Sequence, residues 1–551
     1  MAAKILKHVS DINVISGGST PFIKAAEFGS TSVMELMIIE RPELDISFQL
    51  RGCSALWIAA FNGHCPVVQE LLRHPHIQVD HPGRAGLTPF AASVMQGYLE
   101  VSQMLWNTGK VDVNHKARNG QTPLLLALEC CDEALVHYLL ERPGISLEYM
   151  DELGNTPINN AVRYNLIPVV RLLLDMAPRL ADTEDNQRRT PLLIAVENGR
   201  RDTVRLLLDA GASPNLADNE GRTPLSSALF HGKLMVQLLL SYGADVNEID
   251  SSEQGLLHKA VRYNCAEVIP TLLEFGADPN LRDARDCTAL GTAIDDGYYS
   301  AIRYLISDRH VDLNTLSGGY SPLTIAIMNN QITTVRLLCA VSKLDPNQLD
   351  RDSQTPLNTA IMYHRMDIMN VLLQRRDISV NRIAATESPL CTAVNSDNRH
   401  AVQRLLQCQG ININDGSLIR AIQMASINTV DDLLEAGCDV NIRDEYRTSG
   451  VMEAAKLGST EILDRLLQYR EVDINAKDEK GRTALWWAAY RKQEGTFKLL
   501  LRDRRISTNR HHHGPRFSFY LLRDPAIRAM VQGTPLGRGN LARRSRNRAN
   551  F

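Results

Sequence analysis

One phrase recurs along this chain: "QRRTPLLIAVENG" at Gln187–Gly199, "NEGRTPLSSALFHG" at Asn219–Gly232 and "SGGYSPLTIAIMNN" at Ser317–Asn330. Anchored on its Thr-Pro pair or the substitute for it, the phrase falls at Thr20, Ser54, Thr88, Thr122, Thr156, Thr190, Thr223, Gly255, Thr288, Ser321, Thr355, Ser388, Gly416, Ser449 and Thr483. The steps are 32 to 34 residues, except for one of 28 between Ser388 and Gly416. Length alone would divide 551 residues among several independent cores. So regular a period dictates a repeat array instead.

The copy at Thr190 shows what one unit must do. Thr190 supplies an N-cap hydroxyl, and Pro191 sits at the first helical position, where its missing N–H costs nothing. Leu192 and Ala195 mark the inward side, and Gly199 ends the helix in the left-handed conformation that glycine tolerates best. The anchor-plus-nine position is Gly at residues 29, 63, 97, 199, 232, 297 and 458, and Asn at 165, 264 and 330. A second helix carries Val204, Leu206, Leu207 and Leu208 and closes at Gly211, before the polar loop "ASPNLADNEG". Such a helix pair cannot bury its own apolar side, so each unit completes its core only by stacking on its neighbours. The fold class expected is all-α: an α-solenoid of about fifteen helix-turn-helix repeats with projecting loops. At a packing distance of roughly 10 Å per repeat, it would extend on the order of 150 Å.

The stretches "GRTPLSSALFHGKLMVQLLLSYGADVN" and "RRTPLLIAVENGRRDTVRLLLDAGASPN" resemble the ankyrin repeat, with its period near 33 and its T-P-L-H-x-A opening. The resemblance runs from about Thr20 to Asn509, and the divergence among copies is similar to that of fungal-type ankyrin-only proteins. The histidine of the pattern stands only at His258; Ile23, Trp57, Leu125, Asn159 and Trp486 take its place elsewhere. Lower stability per repeat is the expected consequence. The shortened step, "GININDGSLIRA", lacks the projecting loop and is expected to make a hinge or a notch. The division that follows is an N-terminal cap segment at 1–19, a first block at 20–415, a second block at 416–510 and a basic tail at 511–551. Within the tail, "DPAIRAMVQG" has the caps of a short helix, and "FSFYLL" (517–522) could cover the apolar end of the last repeat.

No catalytic signature accompanies the repeats: there is no Gly-rich phosphate loop, no G-x-S-x-G and no H-E-x-x-H. The acids Asp218, Asp250, Asp283, Asp350, Asp444 and Asp478 share one phase of the repeat, as turn residues bonding their own loops would. Acids also crowd the loops between Glu148 and Glu253, which read as a solvated rim before a basic target. The run His511, His512, His513 is the sole metal candidate, set against a solvated linker. Ten cysteines without a C-x-x-C pair read as reduced thiols, mostly small core residues, Cys130 among them. No catalytic, cofactor-binding or metal residue is assigned, and no cofactor is expected.

Binding signals are stronger. The resemblance implies that the loops and the first helix line a concave face, with the anchor-plus-four side chain turned toward it. Most such positions are polar or small, but Ile58, Leu126, Ile194, Ile325 and Trp487 are large and apolar, as interface residues are. These five are the candidate protein-binding residues. Charge is uneven as well: twelve arginines and two aspartates give Arg502–Phe551 a charge of +10, leaving −13 for the rest of a chain whose net charge is −3. No stretch reaches the roughly 18 apolar residues of a membrane span, and the N-terminus lacks a signal-peptide core, so an intracellular site, cytoplasmic or nuclear, is expected. The function expected is a non-enzymatic scaffold or adaptor whose partners are proteins. Alternatives are a nuclear coregulator whose partners are transcription factors, and, remotely, a metal enzyme using the His cluster. Arg543, Arg544, Arg546 and Arg548 form a candidate localisation signal, and direct nucleic-acid binding through so few charges would be weak and salt-sensitive. A fluorescent fusion with these four arginines changed to Ala should lose the nuclear signal of its parent. A parent confined to the cytoplasm would remove the coregulator alternative.

Overall fold

The computed structural model describes residues 19–41, 44–385, 387–507, 509–513 and 525–532. Most of the N-terminal cap segment, "FSFYLL" and Arg543–Arg548 lie outside the described residues. The chain divides into two compact units, Met1–Asp278 and Pro279–Phe551, each a helical solenoid.

Every anchor proves to be the N-cap of a first helix, from Thr20 before Pro21–Glu27, through Thr190 before Pro191–Glu197, to Thr483 before Ala484–Arg491. The cap hydroxyl accepts the N–H three residues on in each case but Gly255 and Gly416, which have none, and Ser449, whose hydroxyl makes no cap bond. All the anchor-plus-nine residues adopt positive φ, including Cys131, His364, Asp397, Ala425 and Lys492, which are neither Gly nor Asn. The backbone turn is therefore set by the helix pair on either side of it, and side chains there bear the strain.

Leu192, Ala195, Val204 and Leu207 are fully buried, and the pattern repeats in each copy. Within the first unit, Pro89–Met95 packs between Ala55–Phe61 and Pro123–Glu129; within the second, Pro356–Met362 packs between Pro322–Met328 and Pro389–Asn395. The loops project as short hairpins: Gln49–Leu50 pairs antiparallel with Cys53–Ser54, and single bridges such as Arg282↔Thr288 and Arg443↔Ser449 recur at the same phase. The phased aspartates act as turn residues. Asp218 accepts the N–H groups of Glu220 and Arg222 at 2.9 Å each, and Asp350 and Asp478 repeat the arrangement with Asp352 and Gln354, and with Lys480 and Arg482.

A bond absent from the sequence reading joins one repeat to the next. Asn114 donates through Nδ2 to the Gly144 carbonyl (2.7 Å) and accepts the Ser146 N–H through Oδ1 (2.9 Å). The same two-sided rung is made by Asn215, Asn247, Asn280, Asn314, Asn347, Asn381, Asn441 and Asn475, each to a loop about one repeat further on. Two replacements of the family histidine supply a bond of their own. Trp57 Nε1 donates to the Leu87 carbonyl (2.8 Å) and Asn358 Nδ2 to Thr392 Oγ1 (2.9 Å), so other side chains restore a link between repeats. Asn159 does not: it is fully buried with neither amide atom partnered.

At the shortened step, Pro389–Asn395 packs on Ser417–Gln423 and Arg399–Leu406 on Ile427–Glu435, so helix stacking continues where the loop is missing. Asp415 bridges the gap, bonding the Ser388 hydroxyl and accepting the Ser417 N–H at 3.0 Å. At the far end, residues 510–513 form a 3-10 turn that buries His513, which overturns the solvated-linker reading for that residue. Its Nε2 lies 2.6 Å from the Ser507 carbonyl and so carries the proton, leaving Nδ1 to accept from the Thr483 hydroxyl at 3.0 Å. Burial accordingly holds its pKa below the ordinary value. Helix Pro525–Val531 then packs on Glu494–Arg502, with Ile527 and Val531 buried.

Two rungs have Asp in place of Asn: Asp182 accepts the Ser213 N–H (2.9 Å). Asp80 accepts the Asp112 N–H (2.9 Å), but its Oδ1 is buried without a partner. By the register of the other rungs, that oxygen faces the Lys110 carbonyl, to which a carboxylate cannot donate. Burial pushes the Asp80 carboxyl above its ordinary value, against the pull of the Asp112 N–H and the nearby His115, and Asp112 itself adds to the rise. A raised native pKa means that the rung is complete below the ordinary carboxylate value of about 3.9 and weakens as pH rises through the native one. Asp80→Asn should therefore gain about 1 kcal/mol at neutral pH and flatten the pH dependence above pH ~4. Urea unfolding of both proteins at several pH values tests this. A variant less stable than its parent would refute the rung assignment.

Candidate protein-binding face

The structure separates the five anchor-plus-four candidates. Leu126 and Ile194 are 3% and 2% exposed, so their reading as exposed contacts is corrected: each is clamped between the first helices of both neighbouring repeats. Ile58, Ile325 and Trp487 are half-buried. Among the large apolar groups that reach solvent, one set sits three or four residues later, at the end of the first helix just before the left-handed turn. In the first unit these are Phe28, Tyr164, Phe230 and Tyr263; in the second, Met362, Tyr363, Met424, Leu457 and Tyr490. The signal was available as aromatic residues and methionines at anchor plus seven and eight. It went unread because a side chain there looks like part of the turn.

Phe230 and Tyr263, from consecutive repeats, form a tilted pair with ring centroids 4.8 Å apart, though 62% and 53% exposed. The charges around them are already matched. Arg222 pairs with Asp218 at 2.7 Å and with Glu197 at 3.7 Å, Lys259 pairs with Asp250 at 3.5 Å, and Arg262 donates to Gln254. Burial would raise the Asp218 carboxyl, but the N–H donors of its turn and the Arg222 guanidinium outweigh it and hold it below the ordinary range. Glu148 with Arg179, Glu184 with Arg188 and Asp185 with Arg189 continue this local pairing, so much of the acidic rim is neutralised within its own loops.

Trp487 is the centre of a different cluster. Its indole N–H donates to Asp478 (3.3 Å), the Arg482 guanidinium lies 4.2 Å and the Lys456 ammonium 5.5 Å from its ring, and Trp486 meets it edge-on at 5.0 Å. Lys456 also pairs with the buried Glu453 at 3.0 Å, and Arg482 with the buried Asp478 at 2.7 Å. Each cation is thus held between a carboxylate beneath and an aromatic face beside it.

The remaining chemistry is sparse. Among the described residues no group of His, Cys, Asp and Glu is arranged to hold a metal ion, and His513 has both ring nitrogens engaged. The expectation of mostly buried cysteines is corrected: Cys438 alone is buried, and Cys130 and Cys131 are exposed, because they fall at the solvent-facing end of a first helix. Burial together with the acids around it raises the Cys130 pKa. Among the described residues no helix is long and apolar enough to cross a membrane.

A model of the ankyrin repeats (3 copies) family matches residues 56–151, 146–218, 210–283, 257–350 and 418–511. An ankyrin repeat domain-containing protein, SAT10, of Stachybotrys chartarum is 26% identical over 298 residues, covering 49% of this chain and 15% of that protein. Alpha-latrocrustotoxin-Lt1a of Latrodectus tredecimguttatus is 24% identical over 287 residues, covering 48% and 20%. The chain thus spans no more than a fifth of the length of these two relatives. The crystal structure of the Bcl-3 ankyrin repeat domain is 32% identical, with a TM-score of 0.36, covering 41% of this chain and all of that one.

Core placement has a measurable outcome. Ile194→Ala should lower stability by about 2–4 kcal/mol, as removal of buried methylenes does. If it weakened partner binding while leaving the urea midpoint unchanged, Ile194 would belong to the exposed face after all.

Proposed function

The chain belongs to the ankyrin-repeat family, whose repeats are protein–protein interaction modules, and we propose that it acts as a non-enzymatic scaffold or adaptor gripping partner proteins on the ends of its first helices. The observation that carries this reading is the recurrence of exposed large apolar side chains at two adjacent positions at the end of the first helix, Phe230 and Tyr263 in one unit and Met362, Tyr363, Met424 and Leu457 in the other. In the other copies the same two positions are mostly polar, among them Glu129, Glu197, Asn198 and Asp296, so the apolar groups mark particular repeats and are not a requirement of the fold. Aromatic and methionine side chains are the residues that interfaces enrich. The coregulator reading, with transcription factors as partners, is the same mechanism with a nuclear address and rests on the family resemblance and the terminal arginines. The His-cluster enzyme loses support from the structural engagement of His513.

A photo-crosslinking residue placed at Phe230 or Met362 in cells should capture protein, and one at Arg201, on a second helix, should capture far less. The double change Phe230→Ser and Tyr263→Ser should lower recovery of a captured partner by about tenfold or more without moving the melting temperature. Equal capture at all three positions would overturn the proposal.

A further inference from the structure

We propose that the last three repeats, anchored at Gly416, Ser449 and Thr483, dock an extended acidic segment of a partner protein whose apolar residues recur about every third position. The inference rests on the protein-binding reading and adds the chemistry of the partner. Apolar contacts are offered by Met424, Leu457 and Tyr490, one exposed at the first-helix end of each repeat. Consecutive repeats stand roughly 10 Å apart, and a chain in the extended polyproline II conformation advances about 3.1 Å per residue with three residues per turn, so every third side chain returns to the same face and meets each of them in turn.

Charge decides what lies between. The two carboxylates nearest Trp487 point inward: the Glu453 and Asp478 side chains are 5% and 2% exposed, each beneath the cation that neutralises it. Lys456 and Arg482 are the charges left on the outer side, laid over the indole. Around them Arg447, Lys477, Lys480 and Arg491 are exposed, against Glu445 and Glu479. Arg447 makes no ion pair among the described residues, and it lines an open cleft of about 730 Å³ with Arg443, Lys477 and His512 opposite Asp473 and Glu479. The position of Lys456 is Glu27, Glu129 and Glu197 in three copies of the first unit but Arg163 and Arg262 in two, and Arg189 and Arg222 hold the place of Arg482, so what distinguishes this end is the Trp487 indole against which the cations lie. A carboxylate arriving here meets guanidinium and ammonium groups already desolvated on one side by tryptophan, where an ion pair is worth more than on an open surface.

The probe is a labelled peptide of about twelve residues, with leucine at every third position and glutamate between, titrated by anisotropy against the full chain. Controls carry lysine for glutamate, or serine for leucine. The acidic leucine peptide should bind and both controls should fail. Arg447→Glu with Lys480→Glu, on exposed loop tips that leave the core untouched, should weaken it by about tenfold or more and admit the lysine peptide. Trp487→Ala should weaken it as well, while the Phe230→Ser, Tyr263→Ser variant should bind it as the parent does. Absence of binding, equal binding of the lysine peptide by the parent, or an unchanged affinity in the double charge variant would each overturn the proposal. Any of these results beside intact crosslinking at Met362 would sink the acidic preference and leave protein binding standing. Loss of crosslinking beside the expected peptide pattern would do the reverse.

Discussion

The architecture depends on an asparagine that recurs in nine of its loops. Helix pairs of this kind bury their apolar sides only against neighbours, and apolar contact alone does not fix the height at which one pair meets the next. The Asn114 type of rung does, because one amide must satisfy a carbonyl and an N–H two residues apart in the following loop. Amide geometry demands both partners at once, so the loops are held in step, and the first-helix ends they flank are presented at a regular interval. A face that reads a partner at several repeats needs that regularity more than it needs any single contact.

The repeat starts were legible because most are set by local chemistry: a capping hydroxyl, often a proline after it, and a left-handed turn nine residues on. Even the copies in which Ala425 or His364 stands at that turn keep its conformation. What the sequence did not disclose depends on neighbours. Leu126 and Ile194 have the spacing of surface residues, yet adjacent helices close over them. Cys130 looks like a small core residue and ends up exposed because its helix has already turned toward solvent. The rungs escaped notice because Asn in a polar loop has a sufficient local explanation, and only the partner loop, some thirty residues away, reveals the second one.

Ends are where a stack of repeats is weakest, and the C-terminal end is closed with polar as well as apolar material. His513 offers the Thr483 hydroxyl what a following repeat would otherwise supply, as Ser317 does for the Thr288 N–H in the body of the second unit (3.0 Å). Helix Pro525–Val531 then covers the last second helix. The cationic cluster around Trp487 therefore lies on a repeat supported from both sides, which suits a binding element that must not fray when its partner leaves.

The rungs also determine how the protein answers to pulling. Each amide ties a loop to the next copy alone, so tension applied along a unit loads the links in series, and the weakest fails first while the others hold. Every failure frees one repeat, about 33 residues or on the order of 110 Å of extended chain, and the asparagine that returns to its carbonyl and N–H can take that length up again. A chain built this way would yield one repeat at a time, in steps of similar length.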